Sequence, residues 1–193
     1  RVLKKGNLSR SRVLVKQLAE LTEGYSFLIR KDKPKKNKAS EIVRQTLFNL
    51  EYRFTAHNIQ IINGCTQEND FDVVCTKKLI LGALMNILDN SIWWLENKSP
   101  KQKTIYVSTI RDLEGAPAIV VGDNGPGFMD DLEYLVTPFI TRKPEGEGMG
   151  LGLHIVNQVM KIHGGSLLLP DIGDLPLPKG ITGAIIALKF KRE

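Results

Sequence analysis

The stretch that decides the fold is glycine-rich: residues 146–153 read Gly-Glu-Gly-Met-Gly-Leu-Gly-Leu and run directly into an apolar segment that Gly164-Gly165 ends. Alternating glycines before a helix let several backbone N–H groups converge on a phosphate, with the positive end of the helix dipole behind them. The stretch therefore predicts a phosphate-binding loop at the N-terminus of a helix that runs to His163.

The same residues exclude two other kinds of phosphate-binding loop. A dinucleotide-binding GxGxxG motif read from Gly148 needs Gly or Ala at position 153, where this chain has Leu153, and no predicted strand precedes the loop. The GxxxxGK[ST] motif of P-loop proteins is absent from the chain.

A second candidate site lies upstream, in residues 120–127, where an apolar strand ends in Gly-Asp-Asn-Gly-Pro-Gly. The Asp123 carboxylate can accept a hydrogen bond from an exocyclic amine, a charge-assisted bond worth about 1.5–3 kcal/mol net. Gly125 and Gly127 would let the backbone approach a ligand closely. Taken alone, this DxGxG pattern is equally typical of a tight turn.

A third candidate site is a pair of carboxamides on a long helix predicted over residues 77–97. Asn86 and Asn90 are four residues apart and share one face, while the apolar residues of the helix line another. Their oxygens can bind a hard cation, or the side chains can simply solvate the helix surface. Because neutral oxygens bind free Mg²⁺ poorly, the metal would arrive together with phosphate groups.

Three polar residues, Thr141, Arg142 and Lys143, lie between the glycine-containing stretches at residues 120–127 and 146–153, on a predicted mobile loop. Their charges can screen a triphosphate, and solvated loop cations would give the same sequence pattern.

The hydrophobic pattern of the remaining chain predicts an α+β fold. A helix over residues 40–57 begins with Ser40 as its N-cap. Strands are predicted at residues 59–62, 71–75, 104–110, 118–121, 166–169 and 184–190, with a polar turn between the first two. We expect a mixed, mostly antiparallel sheet covered by helices, which is a two-layer sandwich.

Composition divides the 193 residues into two parts. Residues 1–38 hold 12 Lys and Arg against 3 Asp and Glu, whereas residues 39–193 hold 15 against 18. The basic run at residues 30–38 lacks aromatic residues, which favours a solvated linker over a nucleic-acid site. Before it, apolar residues between Leu8 and Ile29 predict an amphipathic helix whose partner is a second copy of the chain or a helix outside it.

Cysteine usage and hydropathy bear on the compartment. Cys65 and Cys75 fit neither a CxxC pair nor a disulfide framework, so we interpret both as reduced thiols in a cytoplasmic setting. No apolar run approaches the roughly 18 residues of a membrane span. We expect no membrane contact from this part of the protein, and an upstream membrane anchor is compatible with the sequence.

Together these motifs resemble the Bergerat-fold ATPase superfamily, which joins gyrase, heat-shock chaperones, mismatch-repair proteins and histidine kinases. The chain looks most like the catalytic domain of histidine kinases, with the short lid of the nitrogen-regulation type. The likeness covers roughly residues 40–190. It depends on five segments that occur in the family's order and spacing: 86–90, 123–127, 138–143, 148–152 and 161–165.

The resemblance implies a Bergerat-fold ATP-binding catalytic domain over residues 39–193. It also implies that residues 1–38 are the C-terminal helix of a dimerisation and phosphoacceptor-type hairpin plus a basic linker. Asn90 would ligate Mg²⁺ with Asn86 assisting, and Asp123 would bind the adenine amine. The residues implied to bind Mg-ATP are Asn86, Asn90, Trp94, Asp123, Gly125, Gly127, Phe139, Thr141, Arg142, Lys143, Gly146, Gly148, Met149, Gly150, Leu151, Gly152 and Leu153.

Several of these residues have specific implied roles. Phe139 would anchor the lid, and Arg142 or Lys143 would meet the γ-phosphate. Trp94 would cover the adenine, and the alternative is that both Trp93 and Trp94 are core residues.

The implied activity is transfer of the γ-phosphate of ATP to a histidine in two-component signalling. The implied partners are a second copy bound through the N-terminal helix and a response regulator or other phosphoacceptor protein. His57, His154 and His163 lack the acidic neighbour of a phosphoacceptor box, so we expect each to be structural. The alternatives are an ATP-gated conformational switch with ATPase activity and a nucleotide-binding module without transfer.

Three positions depart from the family pattern. Asn86 stands where the hydrolysing branches have a Glu that activates water, and an amide cannot accept that proton. Trp93 stands where many kinases have a Lys. Gly183-Ala184 replaces the usual Gly-Thr, so a water-linked contact to adenine would be missing or supplied by Thr182.

Overall fold

The fold is a five-stranded sheet with helices on one face, seen in a computed structural model that describes residues 32–97 and 102–192. The helix predicted before the linker lies outside the described residues. In chain order the elements are β1 (Lys35–Lys38), α1 (Ala39–Ala56), β2 (Ile59–Asn63), β3 (Asp72–Cys75), α2 (Lys77–Asn97), β4 (Lys103–Leu113), β5 (Ala116–Asp123), α3 (Leu132–Leu135), α4 (Gly152–Ile162), β6 (Ser166–Leu168) and β7 (Ile185–Lys189).

The strands of the main sheet lie in the order β2-β4-β5-β7-β6. β2 pairs with β4 in parallel, and the other three pairs are antiparallel, which confirms the predicted mixed, mostly antiparallel sheet. One face carries the main core, where Leu84 and Leu88 of α2 pack among residues such as Ile119 and Leu188. The predicted two-layer α+β sandwich is therefore confirmed.

The opposite face of the sheet has a smaller apolar cluster. Val120, Ile185 and Ala187 point to this side, and the long loop before β7 covers them with Leu175. Alternation along β5 thus buries its side chains on both faces, since each face has its own covering layer.

A two-stranded ribbon lies beside the main sheet, and it corrects the predicted linker. Residues 35–38 were predicted to be solvated linker, but they form β1, which pairs antiparallel with β3. Their side chains are mostly exposed, and Lys36 and Lys38 contact the Asp72 carboxylate at 3.1 and 2.9 Å. Backbone pairing to β3 orders these residues, and a count of charges does not detect it. β2 and β3, predicted on either side of a polar turn, consequently belong to different sheets.

The start of α1 also differs from the prediction. Its N-cap is Lys38, which makes no side-chain capping bond, so the prediction of Ser40 as N-cap is wrong by two residues. The carboxylate of Asp70 binds this helix end instead, because it accepts from Ser40 N at 2.9 Å and from Ser40 Oγ at 2.7 Å. A cap supplied by a distant loop leaves no local sequence signal.

The histidines make structural contacts, as predicted. His163 ends α4, and its Nδ1 donates to Val159 O at 2.7 Å while its Nε2 accepts from Thr76 N at 3.0 Å. His154 Nδ1 lies 2.8 Å from Val136 O, and His57 contacts the Glu96 carboxylate. The His163 ring therefore joins the end of α4 to the residue that precedes α2.

Two further predictions concern thiols and membranes. Cys65 and Cys75 are both free, as predicted, and burial raises the pKa of the Cys75 thiol to about 11. Within residues 32–97 and 102–192, no helix has the length and apolar character needed to cross a bilayer.

Candidate functional site

A cavity of about 810 Å³ opens between α2, the end of β5 and the start of α4. Its volume is within the usual range of small-molecule sites. Most of the residues predicted to bind a ligand line it: Asn86, Asn90, Trp94, Asp123, Gly127, Thr141, Arg142, Lys143, Gly148, Met149, Gly150, Leu151, Gly152 and Leu153. Gly125, Phe139 and Gly146 lie outside its lining.

One end of the cavity is built around Asp123, which is only 3% exposed. Ser91 Oγ donates to its Oδ2 at 2.7 Å, while Gly125 N and Ala184 N donate to its Oδ1 at 2.9 and 3.1 Å. Burial raises the pKa of Asp123, and these three hydrogen bonds act in the opposite direction. The donors stabilise the ionised carboxylate, which can then act as a hydrogen-bond acceptor.

The carboxylate of Asp123 has acceptor capacity left for a ligand. An ionised carboxyl offers about four acceptor positions. Two donors among the described residues bind Oδ1, whereas only Ser91 binds Oδ2. Since Asp123 also lines the cavity, the remaining position on Oδ2 can accept an N–H from a bound molecule.

The backbone of Gly183 holds this carboxylate closely in place. A Cβ built at Gly183 would lie 2.5 Å from Asp123 Oδ1 and 2.5 Å from Gly125 N, so no larger residue fits without a shift. Gly183 N also donates to Asp123 O at 2.8 Å. Gly183 belongs to the Gly183-Ala184 pair that departs from the family pattern. A glycine is needed at this position because its backbone lies so close to Asp123 and Gly125.

The other end of the cavity brings the two carboxamides to the start of α4. A Cβ built on Gly152 would lie 3.3 Å from Asn90 Nδ2 and 3.8 Å from Asn86 Oδ1. No side chain caps the N-terminus of α4 at Leu151. The positive end of the helix dipole and the carboxamides of α2 thus meet beside the cavity, an arrangement suited to phosphate groups.

The glycine-rich loop closes on the segment before the lid cations. Gly150 has a φ of +67°, and a Cβ there would lie 2.3 Å from Ile140 O. Phe139 N donates to Gly150 O at 3.0 Å, and the Phe139 side chain is 45% exposed. Phe139 thus contacts the loop through its backbone, and its role as a lid anchor stays a prediction.

The two lid cations have different partners. Lys143 Nζ donates to Asn90 Oδ1 at 2.9 Å, and burial lowers the pKa of Lys143. Arg142 makes two hydrogen bonds of 2.6 Å to the carboxylate of Asp130, and this ion pair lowers the pKa of Asp130. Lys143 therefore reaches the floor of the cavity, whereas Arg142 is engaged at its rim.

Both tryptophans of α2 line the cavity. Trp93 and Trp94 are half-buried, with ring centroids 4.7 Å apart and nearly perpendicular planes, so the alternative that they are core residues is wrong. Trp93 Nε1 donates to Glu147 Oε2 at 3.1 Å. The placement of Trp94 over an adenine remains a prediction.

Sequence reasoning missed several residues of the site. Ser91 follows Asn90 on the same helix, and its proximity to that motif is a signal that could have identified it. Ala184 contributes only its backbone N–H, for which residue type gives no signal. Asp130 accepts a hydrogen bond from Arg142, and Glu147 accepts one from the Trp93 indole. Both contacts join residues that are not neighbours in the sequence, so no local motif indicates them.

The donor set of the site suits Mg²⁺ accompanied by phosphates. In the described part of the chain, no group of three or more His, Cys, Asp or Glu residues could hold a metal ion. The oxygen ligands on offer are the carboxamides of Asn86 and Asn90, and Mg²⁺ prefers oxygen ligands, among them substrate phosphates. The residues present therefore fit a metal that enters with a nucleotide.

The fold and the cavity define a class of protein: a two-layer ATP-binding domain of the Bergerat type, with a buried carboxylate at one end and a glycine-rich loop at a helix N-terminus at the other. The family model described as "Histidine kinase-, DNA gyrase B-, and HSP90-like ATPase" matches residues 76–192. Since this match covers more than half of the chain, the chain belongs to that family.

Named relatives are sensor histidine kinases and related regulators. The chain is 29% identical to the nitrogen regulation protein NtrY of Azorhizobium caulinodans over 185 residues, which is 93% of this chain and 22% of NtrY. It is 38% identical to the histidine-protein kinase/phosphatase MprB of Mycobacterium ulcerans over 93 residues, 46% of this chain and 17% of that protein. The chain thus spans about a fifth of the length of these relatives.

Solved structures agree with the sequence relatives. The mycobacterial sensor histidine kinase MprB superposes with a TM-score of 0.60 at 25% identity, over 83% of this chain and 99% of that one. The catalytic domain of histidine kinase ThkA gives a TM-score of 0.63 at 23% identity, over 81% and 93% of the two chains. The predicted relation to the ATP-binding catalytic domain of histidine kinases is confirmed.

Proposed function

We propose that this chain binds Mg-ATP and supports transfer of its γ-phosphate to a histidine in a sensor histidine kinase. The proposal rests on two groups of residues that lie at the two ends of one cavity. A buried carboxylate with a free acceptor position lies at one end, and carboxamides, a lid lysine and a helix N-terminus lie at the other.

At the purine end, Asp123 accepts the exocyclic amine of adenine through Oδ2, the less occupied oxygen. The backbone of Gly125 and Gly127 shapes this part of the cavity, and Trp94 covers the base. Ser91 is a positioning residue, because its hydroxyl fixes the oxygen that receives the amine.

At the phosphate end, backbone amides of residues 146–153 hold the phosphates. The oxygens of Asn90 and Asn86 hold Mg²⁺, which when bound neutralises part of the phosphate charge. Thr141, Arg142 and Lys143 approach the γ-phosphate from the lid, and Phe139 anchors the lid. Catalysis on this domain is then positioning and charge compensation, without a covalent intermediate on its residues.

Transfer is favoured over hydrolysis because of Asn86. An amide in this position cannot accept a proton from water, so the domain lacks the general base that the resemblance assigns to the hydrolysing branches. This favours the kinase over an ATP-gated switch with ATPase activity. A nucleotide-binding module without transfer is the remaining alternative.

The organisation of the whole protein is part of the proposal. The residues before β1 contribute a dimerisation helix and a connection, with a second copy of the chain as the partner. A response regulator or other phosphoacceptor protein receives the phosphoryl group. This part of the protein works in the cytoplasm.

Calorimetric titration tests the binding site. We expect ATP to bind the wild-type chain more tightly in the presence of Mg²⁺, and Asn90→Ala to reduce that Mg²⁺ dependence. Asn49→Ala is the control, because Asn49 is an exposed residue of α1 and lies outside the lining of the cavity. Equal Mg²⁺ dependence in Asn90→Ala and wild type would place the metal elsewhere, and no ATP binding would contradict the proposal.

Incubation of the full-length kinase with radiolabelled ATP tests transfer. We expect label on histidine that is labile in acid and stable in base. Release of free phosphate over many turnovers without protein label would favour the switch. Binding with neither label nor hydrolysis would favour the module.

A further inference from the structure

The side chain of Trp93 joins the lid to α2 at two points. The ammonium of Lys143 lies 4.9 Å from the centroid of its ring, and the indole N–H donates to Glu147 Oε2 at 3.1 Å. Trp93 and Asn90 are three residues apart on α2 and so lie on the same side of the helix. The same Lys143 ammonium donates to Asn90 Oδ1 at 2.9 Å. One lid cation is thus shared between the indole face and a candidate metal ligand.

We propose that Trp93 is a positioning residue, which holds Lys143 on Asn90 before nucleotide binds and keeps the ammonium at the cavity when the metal takes its place. The inference rests on the proposed function, since it concerns the oxygen of Asn90 that the proposed function gives to Mg²⁺. In the nucleotide-free protein the ammonium supplies the positive charge at this oxygen. When Mg-ATP binds, Asn90 Oδ1 would exchange the ammonium of Lys143 for Mg²⁺, and Lys143 would then turn to the phosphates.

The chemistry of the three groups supports such an exchange. Trp has the most favourable ring face for a cation, and the attraction is stronger where the ammonium is partly desolvated. Lys143 is half-buried here, and the Glu147 carboxylate adds a favourable charge interaction. A contact of this kind restricts the ammonium without a fixed hydrogen-bond geometry, so the lysine can change its second partner while it stays over the ring.

The neighbouring loop leaves room for this arrangement. A Cβ built at Gly148 would lie 2.8 Å from Lys143 Cδ, so the lysine stem crosses directly over the glycine. Lys143 N also donates to Thr141 Oγ1 at 3.1 Å, which holds the backbone at the base of the side chain. Contacts at both ends of the Lys143 side chain therefore fix its path from the loop to the indole.

A fluorescence experiment without nucleotide tests the contact itself. The chain has two tryptophans, so Trp94→Phe leaves Trp93 as the only indole. In this background we expect Lys143→Met and Glu147→Gln each to change the intensity or wavelength of Trp93 emission. Arg142→Met is the control, because its guanidinium binds Asp130 and its loss should leave the emission unchanged. Unchanged emission in Lys143→Met would overturn the proposal.

A double-mutant cycle tests the function of the contact. We expect Trp93→Leu and Lys143→Met each to weaken ATP binding about three- to tenfold, with a smaller effect on ADP, and the double variant to bind no worse than Lys143→Met alone. Trp93→Phe should recover part of the affinity, because a smaller ring keeps a weaker attraction. Thermal unfolding of each variant verifies that the fold is intact.

The outcomes separate the two proposals. Independent, additive effects of Trp93→Leu and Lys143→Met would overturn the positioning role while ATP binding by the wild type still supports the proposed function. Failure of the wild type to bind ATP would overturn the proposed function and the exchange of cations. The nucleotide-free emission of Trp93 would then show whether Lys143 contacts the indole at all.

Discussion

The two ends of the cavity are held by different kinds of contact. At the purine end, Asp123 is buried, and two of its three donors are backbone amides of Gly125 and Ala184. At the phosphate end, contacts join side chains of the partly exposed lid, such as Arg142 with Asp130 and Lys143 with Asn90. The first end lies where β5 ends and β7 begins, and the second lies in the segment between β5 and α4.

This difference indicates that the two ends of the cavity will respond differently to substitution. Backbone donors at the end of a sheet change position only if the sheet deforms, so the acceptor of Asp123 is preorganised. Half-exposed side-chain pairs break at little cost, which permits a lid to open and close. We therefore expect substitutions that displace the backbone at the purine end to affect folding and binding together, and lid substitutions to affect binding alone.

The largest effect is expected for Gly183→Val, at the rigid end. Its Cβ would lie 2.5 Å from Asp123 Oδ1 and from Gly125 N, so the backbone must shift. We expect a loss of about 1–3 kcal/mol in the free energy of unfolding, together with loss of ATP binding. Denaturant unfolding and calorimetry measure the two quantities.

Gly82→Ala is the matched control for this substitution. Gly82 lies in α2, and a Cβ there would have no atom within 4 Å. We expect this variant to gain about 0.5–1 kcal/mol from its higher helix propensity. A Gly183→Val protein with wild-type stability and affinity would remove the contrast between the two ends.

Asp123→Asn is expected to have the next largest effect. It replaces the proposed acceptor for the adenine amine by an amide of the same shape, so ATP affinity should fall about 10- to 100-fold, the equivalent of one charge-assisted hydrogen bond. The fold should persist, because Oδ1 of Asn can still accept from Gly125 N and Ala184 N. Unchanged affinity by calorimetry would exclude Asp123 from the purine site.

The pH dependence of stability should distinguish Asp123 from an exposed carboxylate. Burial raises the pKa of Asp123, so its protonated form is favoured in the folded protein. Its contribution to stability is present below about pH 4 and is lost as the pH rises through the raised pKa. The stability of Asp123→Asn relative to wild type should therefore increase with pH.

Asp72→Asn should show the opposite slope. Hydrogen bonds from Lys38 and Lys36 lower the pKa of Asp72, so its contribution is present above about pH 4 and is lost as the pH falls through the lowered pKa. Thermal unfolding of both variants without nucleotide, at several values of pH between 3 and 7, measures the two slopes. Parallel slopes would contradict the assignment of a buried acceptor.

The smallest effect is expected for Asp130→Asn, at the phosphate end. The exposed Arg142 is engaged by this carboxylate, so removal of the charge should free the guanidinium for the phosphates. We expect a rise in ATP affinity of less than a few-fold and no change in the unfolding midpoint. The rise should disappear in Asp130→Asn combined with Arg142→Met, and a fall in stability would show that the pair is structural.

The elements that sequence analysis predicted well have strong local signals. The bounds of α2 at Lys77 and Asn97 follow from an apolar stripe along the whole helix. The motifs of Asp123 and of the α2 carboxamides predicted ligand-binding residues, and the structure places these side chains in one cavity. The fold class followed from the order of helices and strands, which side-chain periodicity reveals.

The features that sequence analysis missed depend on partners far away in the chain. β1 forms because its backbone pairs with β3, while its lysines alone indicate solvent. Asp70 binds the start of α1 from a loop thirty residues later. The contacts of Lys143 with Asn90 and Trp93 depend on how the lid folds back over α2, and no local sequence pattern predicts this arrangement.

The amide of Ala184 has a consequence for drug resistance. Under the proposed function, an inhibitor that mimics the purine would depend on the Asp123 carboxylate, which this amide helps to fix in place. Every amino acid except proline supplies the same N–H at this position. Substitutions at residue 184 other than proline would therefore leave this hydrogen bond to the carboxylate in place, both for the proposed ATP ligand and for such an inhibitor.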